Sequence, residues 1–510
     1  MLTRLKVKGF KNLVDVDIRF GPFTCVAGAN GVGKSNLFDA ILFMSALADR
    51  PFVDAARSVR DEGGQAYDIK GLFHRVENES SNEMAFEAEM IVPSEGADDL
   101  GQHAKASISF LRYAVVLTYH EGDGNRSLGS LQLAKEELDH IILGKAKEHL
   151  LFNHSPAWRK SVLGGRRTSP FISTEGSGHN RVIKLHQDGK QGRTLSRLAA
   201  NLPRTVLSNA NTSETPTVLL ARREMQSWKL LHLEPSSLRK PDDFLAPARL
   251  GPDGSHLAAT IHRLARLGRS NATTDDTGAS RLYGQIANRL AELIHDIREI
   301  SIDRDERREL LTLQARSLDG TTHPAHALSD GTLRFLALAT LELDPEANGL
   351  LCLEEPENGI APDRIPAMLS LLRDIATDVD LPIGEDNPLR QVIINTHSPA
   401  VVSQVPDDSL LVAELKERVA SSQRFKAITF SCLPDTWRAG KNGQLTSVVP
   451  RGKLLSYLNP VPIPDPYGEA NWRHAEPSRK GHVKKQTTRV IDRPDLQPLL
   501  PYPSIQNERD

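Results

Sequence analysis

At 510 residues the chain is longer than one hydrophobic core requires, and its length sets a prior of about two to four domains. Its 63 basic and 65 acidic side chains nearly cancel to a net charge of −2, so overall charge points to no polyanionic partner. No apolar stretch reaches the roughly 18 residues of a membrane span, and Met1-Leu2-Thr3-Arg4 lacks the apolar core of a signal peptide, which excludes a membrane subunit.

Residues 2–10 and 14–20 alternate apolar and polar positions on either side of Lys11-Asn12, the pattern of a β-hairpin. Residues 23–27 are apolar and read as a strand. They run into Gly28-Ala29-Asn30-Gly31-Val32-Gly33-Lys34-Ser35, which matches the phosphate-cradling pattern G-x-x-x-x-G-K-[ST]. The helix expected over 34–48 then sets Leu37, Ile41, Met44, Ser45 and Ala48 on one face. Glycines in such a loop let backbone N–H groups turn toward a β-phosphate. Lys34 brings positive charge to the β and γ oxygens, and Ser35 can ligate Mg²⁺. Gly28, Asn30, Gly31, Gly33, Lys34 and Ser35 are therefore the candidate nucleotide-binding residues. An isolated match can be a chance glycine turn, but the strand before it and the helix after it argue for ATP.

Strands are expected over 83–92 and 107–120, with a weaker third over 130–138, separated by turns such as Glu121-Gly122-Asp123-Gly124. They suggest an antiparallel meander beside the main sheet. From 141 to 295 the pattern changes to loops and helices, the best helix being marked by Leu282, Ile286, Leu290, Leu293 and Ile297, with a polar linker over 268–280. Between 141 and 204 stand twelve Lys/Arg against three acidic residues, interleaved with Phe152, Trp158 and Phe171. That surplus fits a salt-sensitive DNA-binding face or, equally, a solvated arm or a surface for an acidic protein.

Strand character returns over 300–302 and 310–315, so the core is split by an insertion. Leu328-Ser329-Asp330-Gly331-Thr332-Leu333-Arg334 then opens an apolar helix. A serine and a glycine at a helix start make an anion site, although Ser329 taken alone is an ordinary N-cap. Residues 350–355 form an apolar strand ending in Glu354-Glu355. Glu354 is positioned to hold Mg²⁺ and Glu355 to act as general base, the alternative being a surface acidic pair. A second apolar strand, 391–396, delivers His397, which can hydrogen-bond a γ-phosphate or simply pack. Cys25, Cys352 and Cys432 lack metal-ligand spacing and read as reduced structural thiols of a cytoplasmic protein. Residues 461–510 are rich in proline and polar residues, with a basic run over 478–489, and look extended or partly disordered. No internal repeat or sustained heptad is present.

These motifs resemble the ABC-type ATPase heads of the RecF, SMC and OLD-like group. Leu5-Lys6-Val7-Lys8-Gly9-Phe10-Lys11-Asn12 resembles that group's N-terminal pattern, and residues 28–41 its phosphate loop and helix. Residues 354–362, Glu354-Glu355-Pro356-Glu357-Asn358-Gly359-Ile360-Ala361-Pro362, and Asn395-Thr396-His397-Ser398-Pro399 are similar as well. The resemblance implies an α/β fold: an ABC head, with a mixed phosphate-loop sheet and an antiparallel β-subdomain, split by a helical and loop insertion. It covers about residues 1–140 and 296–415, which leaves 141–295 as insertion and 416–510 as C-terminal extension. It implies that Ser329 and Gly331 contact ATP bound by another subunit, so that ATP is sandwiched between two heads of a homo-oligomer. Glu354 stands where the wider class has Asp, Ala361 where the OLD-like branch often has His, and the metal-linked glutamine is not evident, Gln65 being one option.

OLD-like nucleases carry a metal-binding D-x-D pair after the head, whereas no such pair follows His397 here; the nearest approaches are Asp407-Asp408 and a lone Asp465. Intrinsic nuclease activity is therefore not expected. A separate effector protein, a nuclease or toxin, is the natural inference, as in anti-phage systems of the Septu or PARIS kind. A RecF-like DNA clamp for repair or chromosome maintenance is the alternative. A transporter ATP-binding subunit fits poorly with the large insertion and the Glu-Glu-Pro-Glu-Asn pattern.

Overall fold

A computed structural model describes residues 1–59, 69–76, 79–121, 129–188, 194–211, 214–267, 277–294, 296–420, 423–440 and 446–458. Gln65, Lys190, Arg193, Asp465, residues 268–276 of the expected linker and the proline-rich tail lie outside the described residues.

The chain opens with the expected hairpin, β1 (Leu2–Phe10) and β2 (Leu13–Arg19), in antiparallel register with Val7 opposite Val16. Strand β3 (Phe23–Ala27) and helix α1 (Lys34–Leu47) flank the glycine-rich loop. The meander follows as β4 (Glu83–Ile91), β5 (Phe110–His120) and β6 (Ser130–His140). Three short strands extend it, β7 (Ile172–Glu175), β8 (Val182–Leu185) and β9 (Leu195–Leu198). Hairpin and meander thus form one eight-stranded antiparallel sheet, ordered β9-β8-β7-β6-β5-β4-β1-β2.

The second half supplies α2 (Pro216–Gln226), β10 (Lys229–Leu231), α3 (Leu257–Leu267), α4 (Thr277–Ala291), and a hairpin of β11 (Ile297–Asp305) with β12 (Leu310–Ser317). Then come α5 (Asp330–Leu343), β13 (Gly349–Glu354), α6 (Ile365–Ile375), β14 (Arg390–Thr396), β15 (Leu410–Ala420) and β16 (Gln423–Cys432). The main sheet runs β10-β13-β14-β3-β15-β16, with Ser447–Val448 on the edge. Its first five strands are parallel; β16 turns antiparallel to β15, and Ser447–Val448 runs parallel to β16. Every residue of β3 and β14 is buried, as expected for parallel strands covered on both faces.

Several expectations change. Residues 141–295 are more than loops and helices: they give β7, β8 and β9 to the antiparallel sheet and β10 to the main sheet. Strands of three or four residues are too short to reveal a period of two. Ile297 opens β11 instead of closing the helix, and residues 277–280 of the expected linker belong to α4. Phe152, Trp158 and Phe171 are buried core residues, unavailable to stack on bases, and Arg167 is spent on the carbonyls of Ser169, Gln187 and Asp188. The expected extension from 416 starts inside β15 and continues through β16, so its first part belongs to the main sheet.

Period-two alternation builds two cores from the main sheet. Val26, Leu350, Cys352 and Ile393 face α1 and the antiparallel sheet, where Phe43 of α1 lies 5.8 Å from Phe10 and 5.6 Å from Phe86, ring centre to ring centre. Cys25, Ala27, Leu351, Leu353, Val392 and Ile394 face α3, α4, α5 and α6. The three cysteines are buried and unpaired. No helix among the described residues is long and apolar enough to cross a membrane.

Two buried charges brace this frame. Arg390, 4% exposed at the start of β14, donates to the carbonyls of Leu341 (3.1 Å) and Glu342 (2.8 Å) and to that of Asp344, at the C-terminal end of α5. A cation there complements the helix dipole and satisfies carbonyls that would otherwise be orphaned. Glu136, fully buried in β6, accepts the N–H groups of Val206 (2.7 Å) and Leu207 (2.9 Å) and the Tyr113 hydroxyl at 3.2 Å. Burial pushes its carboxyl up to about 7, with those three donors opposing the shift. The fold therefore holds this proton more tightly than the unfolded chain does, and the associated stability, present at pH 4, is lost as pH rises toward and through 7. Denaturant melts at pH 5 and pH 8 should differ by roughly 3 kcal/mol from this group, and Glu136→Gln should remove that share of the slope.

Candidate active site

Ligands of an open parallel sheet gather at the carboxyl ends of its strands. Here β3, β14 and β13 are neighbours, and their carboxyl ends carry the glycine-rich loop, Asn395-Thr396-His397, and Glu354-Glu355 respectively. Three motifs spread over some 370 residues of chain are therefore brought together by the spacing of adjacent strands, about 4.8 Å each. They surround a cavity of about 450 Å³ lined by Asn30, Gly31, Gly33, Lys34, Ser35, Glu354 and Glu355, together with Asn12, Asn36, His232, Asn358 and Asn395.

The glycine-rich loop is fastened from below. The Gly28 N–H donates to the Thr396 carbonyl at 3.2 Å, so Gly28 belongs to the floor of the loop instead of the cavity wall. Gly33 has φ +95°, and a Cβ there would collide with the Asn12 side chain. Asn12 itself donates to the Val32 carbonyl at 3.0 Å and accepts from Asn36 at 2.8 Å. Lys34, 7% exposed, donates to the carbonyls of Gly28 (2.7 Å) and Ala29 (3.0 Å). Burial lowers its pKa, while Glu355, Glu357 and Glu354 work to raise it. A buried cation, a loop that admits no side chain at Gly33 and a helix N-terminus make a donor set suited to a polyphosphate.

On the opposite wall, Glu354 accepts from Asn395 Nδ2 at 3.2 Å. Glu355 has a positive φ of 45°, and its N–H reaches both the carbonyl (3.0 Å) and the side-chain oxygen (3.1 Å) of Asn395. Its carboxylate accepts from Asn358 at 3.0 Å and shares a hydrogen bond with His397 Nδ1 at 2.7 Å. Burial works to raise the Glu355 pKa, but hydrogen bonds from Asn358 and His397 and the charge of Lys34 win, and it lies below the ordinary carboxylate range. Glu357 behaves oppositely: buried, with one oxygen bonded to the Thr396 hydroxyl and the other without a partner, it is pushed up by desolvation. Mg²⁺ takes one or two protein oxygens and completes its shell with phosphates and water, a demand that Ser35 and Glu354 fit.

Not every expected residue meets at this cavity. His397 is turned to Glu355 and lies off the cavity lining. Ser329 and Gly331 are also outside it. The exposed Ser329 caps its own helix, accepting from the Thr332 N–H at 3.2 Å, and Gly331 is pressed against the Gly359 carbonyl. Asn12, Asn395 and His232 line the cavity although sequence reasoning gave them no role. Asn12 ends the Leu5 to Asn12 pattern and Asn395 opens the Asn395 to Pro399 pattern that carry the resemblance, but neither pattern gave its asparagine a task. His232 has no motif; it follows β10, whose register pairs Leu231 with Leu353 and so sets His232 level with Glu354. A larger cavity of about 790 Å³ lies beyond His232, toward Arg222 and Arg223, and contains none of the motif residues.

A family described as "AAA domain, putative AbiEii toxin, Type IV TA system" matches residues 217–403, and a second described as "AAA domain" matches residues 4–89. The chain is 30% identical over 80 residues to the DNA replication and repair protein RecF of Phocaeicola vulgatus, covering 16% of this chain and 21% of that protein. It is 49% identical over 41 residues to the OLD nuclease of Thermus scotoductus, covering 8% of each. The two family-matched stretches carry AAA-type ATPase domains, and the chain is similar to ATPases of the RecF and OLD kind. The matched stretches span about a fifth of the RecF relative and less than a tenth of the OLD relative. A solved Smc head bound to the C-winged helix domain of ScpA covers 85% of this ATPase and is itself 98% covered, at 13% identity and a TM-score of 0.42. The first family match begins at residue 217, inside the segment expected as an insertion, where α2 and β10 join the head.

Proposed function

We propose that this ATPase hydrolyses ATP in the cavity around Lys34 only when a second copy closes over it, and that the cycle controls a separate effector, a nuclease or toxin, in anti-phage defence. The observation that carries the reading is the position of Ser329: exposed, at the start of a 14-residue helix, and outside the cavity that holds Lys34. An anion-favouring helix start that does not reach its own phosphate loop is suited to a nucleotide held by another chain. In this reading Lys34 and the loop N–H groups bind the β and γ phosphates, and Glu355 takes a proton from the attacking water. His397 orients Glu355. Mg²⁺ held by Ser35 and Glu354 would supply charge neutralisation on the phosphates. The effector role is supported by the toxin description of the 217–403 match and by the OLD relative.

Light scattering of the Glu355→Gln protein with Mg-ATP tests the closure step. We expect the mass to double on adding ATP, and Ser329→Arg in the same background to abolish the doubling while nucleotide binding persists. A protein that stays monomeric with ATP bound would sink the reading. A RecF-like clamp is the second reading, favoured by the RecF match and by exposed Lys145, Lys147, Lys160, Arg166 and Arg197 of the basic segment. ATP-dependent, steeply salt-sensitive duplex binding with no co-purifying protein would decide for it.

A further inference from the structure

Both oxygens of Glu355 are occupied in the single chain, Oε1 by His397 and Oε2 by Asn358. Asn358 is in turn tied to the helix that follows Ser329. Its N–H closes a turn onto the Glu355 carbonyl at 3.0 Å, and its own carbonyl accepts from Arg334 Nη1 at 2.5 Å. Arg334 lies in the second turn of α5 and also holds the Leu233 carbonyl at 3.0 Å. One turn earlier, Gly331 lies so close to Gly359 that no side chain fits between them. Helix α5 and the turn 355–359 are thereby joined at two successive points.

We propose that Asn358, held by Arg334, is a positioning residue that restrains Glu355 until α5 shifts. A base needs a lone pair aimed at water, and a carboxylate oxygen that already accepts from Asn358 has one lone pair fewer, and a fixed orientation, with which to receive it. Asn358 is exposed, so its amide can leave Oε2 without opening the core. Pulling the first turn of α5 outward at Ser329 draws Arg334 and then Asn358 with it, freeing Oε2 for water. Helix movement and base activation then become one event. This inference rests on Glu355 being the base.

The test is how kcat of the full chain with Mg-ATP depends on protein concentration, for the wild type, Asn358→Ala and Asn358→Asp. The charged groups around Glu355 are Lys34 from α1, Glu354 at the end of β13, Glu357 in the turn, His397 after β14, His232 after β10 and Arg334 from α5. All stay unchanged in both variants. Turnover of both variants should depend less steeply on protein concentration than that of the wild type, because the base no longer waits for closure. A concentration dependence unchanged from the wild type in both variants overturns the restraint whatever happens to the maximal rate. Normal turnover by Glu355→Gln would instead remove the base assignment beneath it, so the two failures are distinguishable.

Discussion

Replacing Lys34 with alanine should abolish nucleotide binding. Its ammonium is the one cation that Glu354, Glu355 and Glu357 all act upon in the wall of the cavity, and it is nearly buried. Without it, a polyphosphate would enter a site walled by carboxylates, with only N–H dipoles to oppose them. The loss of a charge-assisted contact plus this repulsion should weaken ATP affinity by about 100-fold or more, roughly 3 kcal/mol. Titration with a fluorescent ATP analogue measures it. The fold should survive, because Lys34 donates only to the Gly28 and Ala29 carbonyls of the loop and packs in no core cluster, so a nearly unchanged melting curve beside lost binding is the expected pair. Retained micromolar binding by the alanine variant would place the nucleotide elsewhere.

Glu355→Gln should have the opposite signature, with binding kept and turnover lost. The amide preserves size and most hydrogen bonds but cannot accept a proton, and general-base loss costs about 10²–10⁴ in rate. Phosphate release should fall by that factor while ATP stays bound, readable as unhydrolysed nucleotide retained after gel filtration. Because hydrogen bonds and Lys34 hold the Glu355 pKa below its ordinary range, the wild-type carboxylate stays ionised as the medium turns mildly acidic. Turnover attributable to this group should fade only as pH drops through that depressed value, and the glutamine variant should show no such limb.

What was readable from the chain and what was not divides along physical lines. The strands 23–27, 349–354 and 390–396 announce themselves because a covered parallel sheet demands continuous apolar runs, and each ends in residues whose chemistry is explicit. Once those strands are neighbours, the meeting of Lys34, Glu354 and Glu355 follows. His232 escaped because a three-residue strand has no periodicity, and only its register beside Leu353 brings it to the cavity. Trp158 and Phe171 misled because aromatic residues scattered among lysines and arginines look the same whether their rings stack outward or fill a core. The Ser329 cap was anticipated as the plainer of two readings, and in the single chain its hydroxyl does serve its own helix.

Helix α5 is pinned at both tips, by Arg390 behind its last carbonyls and by the contact of Gly331 with Gly359 in its first turn. Arg390 begins the same strand that ends in Thr396, next to His397. A rigid rod anchored this way cannot tilt at one tip without loading the other. Leverage applied near Ser329 would reach the histidine from behind, through seven residues of strand, as well as the glutamate from the front.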